Sequence, residues 1–116
     1  MEIRIKRVYE APSDEDGARI LVDRLWPRGL TKEAARIDFW PKEVAPSNEL
    51  RKWYHQALDE WDELKRRYFA ELDQGPVGLD ELLERVRQGP VTFVYSSKEP
   101  EHNNARALRE YLEARL

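Results

Sequence analysis

Residues 91–95 read Val-Thr-Phe-Val-Tyr, a run of five β-prone residues with no charge, set between Gly89-Pro90 and the polar stretch Ser96–Asn104 (SSKEPEHNN). Such a run is too short for a helix and too apolar for a sheet face in water, so it predicts a strand covered on both sides. Beyond the polar stretch, Ala105, Leu108, Tyr111 and Leu112 recur at helical spacing. Strand, polar loop and helix in succession are the unit of an α/β fold. A second continuous run, Ile20-Leu21-Val22, predicts another interior strand. It must end by about Leu25, because Pro27 disfavours the helical region at Trp26 and Gly29 follows.

Working outward, Ile3 and Ile5 share one face of a strand over Ile3–Val8 whose other face carries Arg4 and Lys6. Thr31 is placed to cap a short turn over Lys32–Arg36, and Ile37, Phe39 and Trp40 read as a third extended segment ending at Pro41. Three amphipathic helices are predicted mid-chain. The first follows Ser47 as N-cap, with Leu50, Trp53, Tyr54, Ala57 and Leu58 on its stripe. The second starts near Asp59 with Trp61, Leu64, Tyr68 and Leu72. The third carries Leu79, Leu82, Leu83 and Val86 and stops at Gly89. The set Trp53, Tyr54, Trp61, Tyr68 and Phe69 is expected in the core, not on a stacking surface.

A chain of 116 residues suits one domain, 1–116, with one core. Without cysteine there is no disulfide, thiolate nucleophile or Cys-ligated cluster, and two histidines leave little for a metal, so neither a metal nor a cofactor is expected. The opening MEIRIKRVYE alternates apolar and charged residues, and no apolar stretch approaches a membrane span; a cytoplasmic protein without a membrane partner is expected. Charged residues reach 37% with both signs interspersed, which for most of them means a solvated surface. No GxGxxG, P-loop, HExxH or GxSxG motif occurs, and no pair among the 23 acids is singled out for acid–base work.

Ligands of open α/β sheets bind beyond the carboxyl ends of the strands, where loops converge with helix N-termini. Two loops occupy such places here. Asp23–Arg28 (DRLWPR) follows an interior strand, and Ser96–Asn104 precedes the last helix. Residues 19–36 hold five basic and two acidic side chains in a chain whose net charge is −3, a local contrast that favours an anion. The site expected on these grounds is a basic pocket of Arg24, Trp26, Arg28, Lys32, Ser96, Lys98 and Asn103 binding a small phosphate or carboxylate, with Asp23 and His102 as acid or base. Each element also has a structural reading: Asp23 and Arg24 could pair with neighbouring loops, Trp26 could plug the core, and His102 could simply face water. The alternative function is a non-enzymatic module that meets a protein partner through the Arg and Trp loop, both types being enriched at interfaces. Nucleic-acid binding is the weaker alternative, since the pI near 5.5 and mixed charges oppose a basic stripe.

RVYE near the start, then DGARILVDRLWPRGLTKEAARIDFWPKEVAPSNELRKWY, RRYFAEL and VTFVYSSKEPEHNNARALREYL, resemble the YeaO-like family of small prokaryotic proteins, a domain of unknown function. The resemblance covers essentially the whole chain. It implies a compact α/β domain with a small, mainly parallel sheet and helices packed around it, in which DRLWPRG and the loop after the last strand are characteristic. Longer, more distant relatives carry a cysteine at the end of the last strand and a second before a His-Arg pair. This chain holds Tyr95 and Asn103 in those places, so no thiol or Cys-metal role is implied for it.

Overall fold

Three parallel strands form the centre of the computed structural model, which describes residues 2–116. Strand β1 (Ile3–Arg7) and strand β2 (Ala18–Leu21) flank β3 (Val91–Tyr95), in the order β1-β3-β2. The register sets Ile5 and Ile20 on either side of Phe93. Every residue of β3 is buried, as its uncharged run requires, and so are Ile20, Leu21 and Val22. Strand β2 has a second neighbour: the Leu21 N–H donates to the Phe39 carbonyl at 3.0 Å, and the Asp38 N–H donates to the Arg19 carbonyl at 2.8 Å. The extended segment expected over residues 37–40 therefore shrinks to one parallel bridge, Ile20 to Phe39. The free side of β1 is closed at its end by Glu10, whose carboxylate accepts the Arg7 N–H at 3.0 Å while its own N–H donates to the Arg7 carbonyl at 3.1 Å. Closing an edge in this way limits its pairing with other chains.

Alternation along the strands gives the sheet two different faces. Ile3, Ile20, Val22, Val91, Phe93 and Tyr95 point into the main core. That core is covered by α3 (Trp61–Asp73), α4 (Leu79–Gln88) and α5 (Asn104–Glu113), through the stripes Leu64-Tyr68-Leu72, Leu82-Val86 and Ala105-Leu108-Tyr111-Leu112. The second face carries Leu21 and Val94, packed with Val8 and Ala35 under Trp26, Leu30, Ile37 and Trp40. The short helix α1 (Lys32–Ala35) starts where Thr31 was expected to cap it, the threonine hydroxyl accepting the Ala34 N–H at 3.1 Å.

Toward the start of the strands that second face becomes ionic. Arg19 and Asp16 are 3% and 5% exposed and meet at 2.6 Å. Arg19 also directs Nε and Nη2 at the Ala35 carbonyl, at 3.0 and 2.9 Å, and Lys6 reaches Asp16 at 3.2 Å. Thr92 donates to the Asp16 carbonyl at 2.7 Å. Every partner is thus supplied by the chain, the condition under which a buried charge is tolerated. Burial alone would push the Asp16 carboxyl up. The Ser13 N–H, Arg19 and Lys6 together overcome this and hold it below the usual range. Gly17 lets the turn pass: its φ is +64°, and a Cβ there would lie 2.3 Å from the Pro90 carbonyl oxygen.

The aromatic helices depart from expectation. Helix α2 (Asn48–His55) begins under the Ser47 hydroxyl as read from sequence, but it ends before Ala57, and Leu58 is exposed. Of its stripe only Leu50 is fully buried. Trp53, Tyr54, Trp61 and Phe69 are half-buried at the rim of the core. The two tryptophans are flanked by cations, Arg67 lying 4.2 Å from the Trp53 ring centre and Lys65 5.3 Å from that of Trp61. Leu50, Trp53 and Tyr54 share one helix face at i, i+3 and i+4, but only Leu50 is fully covered by the core, and long basic side chains cover part of the exposed ring surface.

Two outcomes are expected. Trp61→Ala costs less than the ~3–5 kcal/mol typical of a fully buried tryptophan, by about half, in denaturant unfolding; a full loss would place the ring in the core. Asp16→Asn costs about 3–5 kcal/mol, because Arg19 is left buried without its counter-charge. The lowered pKa of Asp16 sets the sign of its pH dependence: its contribution is complete above the ordinary carboxyl value of about 4 and is lost as pH falls through the folded value. Thermal melts below about pH 4 should therefore show the gap between wild type and Asp16→Asn closing. A constant gap would contradict the assignment.

Candidate functional site

Because the strands are parallel, β1, β2 and β3 all end at one edge of the sheet, and the segments leaving them meet there. Asp23 ties two of them together. One carboxylate oxygen accepts both the Ser96 N–H and the Ser96 hydroxyl at 2.8 Å; the other accepts the Asn104 side-chain amide at 2.9 Å. Asn104 also donates to the Val22 carbonyl at 2.9 Å. Strand β1 joins through Arg7, whose guanidinium donates to the carbonyls of Ser97 and Ser96 at 3.0 and 3.1 Å. Ionised carboxylates and guanidinium groups make the stronger class of hydrogen bond, so these contacts fix the edge firmly.

The rest of DRLWPRG is held the same way. Arg24 donates from Nε to the Pro46 carbonyl and from Nη2 to the Ala45 carbonyl, at 3.0 and 3.1 Å. The Trp26 indole donates to the Leu30 carbonyl at 2.7 Å and meets Trp40 edge to face, ring centres 5.5 Å apart. The Trp40 indole in turn donates to the Asp23 carbonyl at 2.7 Å. Asn103 is buried as the N-cap of α5, accepting the Arg106 N–H at 3.0 Å and donating to the Glu99 carbonyl at 2.9 Å. Glu99 curls into its own loop, where its carboxylate accepts the N–H groups of His102 and Glu101 at 3.0 and 3.1 Å; these bonds hold it below its ordinary pKa.

Arg28, Lys32 and Lys98 are exposed, and none has a side-chain hydrogen bond or ion pair among the described residues. His102 is exposed too, its imidazole stacked on Trp61 at 4.9 Å and 8°. The residues singled out by sequence thus fall into separate groups. Asp23 and Ser96 are bonded together; Arg24 lines a cavity of about 300 Å³ with Tyr68 and Glu71. His102 borders an open cleft of about 410 Å³ with Trp61, Arg106 and Arg109. Neither concavity is lined by Arg28 or Lys98. Among the described residues no cluster of three or more His, Asp or Glu side chains is arranged to hold a metal, and no helix is long and apolar enough to cross a membrane.

Sequence reading missed three contributors to the edge. Arg7 and Tyr9 sit at the end of β1, with the Arg7 guanidinium 5.1 Å from the Tyr9 ring centre and the Tyr9 hydroxyl donating to the Arg28 carbonyl at 2.9 Å. The third, Asn104, completes the Asp23 brace. The signal was present for the first two: a parallel arrangement sends RVYE to the same edge as DRLWPRG.

The structure defines a small parallel α/β domain whose strand-end loops are braced to one another by side-chain-to-backbone hydrogen bonds. The chain belongs to the family described as the Inactive DUF488-N3 subclade, whose model matches residues 2–116. It is 41% identical over 112 residues to the uncharacterized protein YeaO of Escherichia coli K12, covering 97% of both chains. It is 40% identical over 113 residues to the uncharacterized protein Rv3073c of Mycobacterium tuberculosis H37Rv, covering 97% of this chain and 95% of that one. No solved structure matches the chain.

If Asp23 is a brace, Asp23→Asn should lower stability by about 2–3 kcal/mol, the worth of one or two charge-assisted hydrogen bonds. An amide presents only one accepting atom to donors that now approach from both sides. Chemical denaturation measures the change, and an unaltered midpoint would show that the loops are held without it.

Proposed function

We propose that this is a non-catalytic binding domain that docks an acidic segment of a partner protein on the ridge running from Lys98 through Arg7 to Arg28, with Leu25 as its apolar anchor. The observation that carries this reading is a division of labour at one edge. Asp23, Arg24, Trp26, Ser96 and Asn103 make hydrogen bonds within the chain, whereas the charged ends of Arg28 and Lys98 meet no acceptor among the described residues. A chain of contacts makes the ridge continuous: Ser97, next to Lys98, accepts from Arg7, Arg7 lies over Tyr9, and Tyr9 donates to the Arg28 backbone. Leu25, between two anchored residues, is 56% exposed. A loop held at Arg24 and Trp26 that leaves one leucine exposed three residues before Arg28 is suited to a partial hydrophobic anchor flanked by carboxylates, and little ordering entropy opposes binding.

This reading keeps the expectation of an anion and attaches it to a macromolecule. A free phosphate or carboxylate is better served by a concave site with convergent donors, and the donors of Arg24 already serve the Ala45 and Pro46 carbonyls. The description of the family as an inactive subclade supports binding without turnover. Asp23 then acts as a positioning residue for the Ser96 loop.

A fluorescent peptide rich in glutamate with interspersed leucines is expected to bind at low ionic strength and to weaken as salt rises. Arg28→Ala and Leu25→Ala should each weaken it several-fold with little change in melting temperature. Arg28→Lys should also weaken it although charge is kept, since an ammonium lacks the planar fork. Binding of phosphate or citrate but not peptide would favour the small-anion reading, and Arg28→Ala unfolding the chain would make the loop a scaffold only.

A further inference from the structure

The segment Leu58-Asp59-Glu60 runs from the turn after α2 to the start of α3, and it carries the counterpart of the ridge. Leu58 is 56% exposed, as Leu25 is. Asp59 and Glu60 are exposed, and neither has an ion pair among the described residues. Glu60 makes no capping bond with its side chain although it stands at the N-cap of α3, so its charge is not used locally. The backbone of the turn is fixed by the Ala57 N–H donating to the Tyr54 carbonyl at 3.0 Å and the Glu60 N–H to the Ala57 carbonyl at 2.9 Å. The segment also borders the loop that supplies Lys98 to the ridge. There the Tyr54 hydroxyl donates to the His102 carbonyl at 2.9 Å, and Trp61 stacks on the His102 ring. The loop between β3 and α5 therefore has unpaired cations and Leu25 toward one flank, and unpaired carboxylates and Leu58 toward the other.

We infer that the acidic segment taken by the ridge is this turn in a second copy of the chain, with Leu58, Asp59 and Glu60 of one copy against Leu25, Arg28 and Lys98 of the other. The inference rests on the reading of the ridge as a docking surface and names its occupant. Each copy offers both halves of the contact beside one loop, which suits an isologous pair: two equivalent contacts form and association stops at the dimer. Two leucines and a few exposed charges per contact fall short of the ~1,200–2,000 Å² buried in stable complexes, so the dimer is weak and loosens as salt rises.

Sedimentation equilibrium of the full chain, at low ionic strength and over a dilution series reaching millimolar, measures the association. Wild type is expected to approach twice the monomer mass at the highest concentrations and to return to the monomer mass in high salt. Arg28→Glu and Asp59→Lys should each weaken self-association about tenfold with an unchanged melting temperature. Mixed in equal amounts, the two variants should associate about as well as wild type, because one contact is then restored with its charges exchanged and the other is the wild-type contact. The inference is overturned if wild type stays monomeric, if its mass grows past the dimer, or if the mixture associates no better than either variant alone. The peptide of glutamate and leucine separates this failure from that of the ridge: a monomeric chain that binds the peptide keeps the ridge and loses the second copy as its partner, whereas a chain that does neither loses both.

Discussion

The Asp23 carboxylate is the constraint on which the strand-end edge depends. It stands just past β2, directly after the buried run Ile20–Val22, and it receives three hydrogen bonds from residues more than seventy positions away. Two come from Ser96, the first residue beyond β3, and one from Asn104, the first residue of α5. The crossover from β2 to β3 is long and carries four helices, α1 to α4, so the chain itself does little to hold these ends in register. A charged acceptor with bonds on both oxygens does so at a point where the sheet ladder has ended. With the two loops fixed, Arg24, Trp26 and Trp40 each find a backbone carbonyl in a neighbouring segment. The edge becomes a rigid frame from which Leu25, Arg28 and Lys98 project.

The other demand on the fold is a sheet with two covered faces and helices enough for one. Helices α3, α4 and α5 cover the first face with apolar stripes. The second is closed by one turn, a four-residue helix and a loop, none of which could bury it by hydrophobic packing alone. Near the Leu21 and Val94 end, Trp26 and Trp40 provide the bulk. Near the Ile3 and Ala18 end, Arg19 and Asp16 take the place of a core and bond to the backbone of the elements that cover them. Such a network contributes little net energy against an apolar core of similar volume, yet losing one member exposes the full penalty of the other.

The parts of the fold that were legible in the sequence are those set by local pattern. Val91–Tyr95 and Ile20–Val22 could be read as covered strands because uncharged runs admit few other structures, and Ser47 and Thr31 act as caps where their positions indicated. The parallel sheet expected from the family resemblance is present, and it is parallel throughout. Amphipathic spacing was a poorer guide to depth. Trp53 and Trp61 lie at the right positions, but whether a stripe is buried depends on what packs over it, and here that is Arg67 and Lys65. The candidate site was legible as two loops and not as an arrangement. Residue types at strand ends indicated Asp23, Arg24 and Trp26, but an arginine that binds a ligand and one that binds a carbonyl have the same letter. Only the structure distinguishes Arg24, anchored on Ala45 and Pro46, from Arg28, exposed beside Tyr9.

Amide hydrogen exchange at Ser96 tests the central claim most directly, because this N–H lies outside the strand ladder and has the Asp23 carboxylate as its acceptor. If Asp23 locks the edge of the sheet, the Ser96 amide should exchange only with global unfolding, as slowly as those of Phe93 and Val94. If Ser96 instead exchanges as fast as the exposed amides of Ser97 and Lys98, the edge is not a rigid frame, and the account of Asp23 as its brace is contradicted.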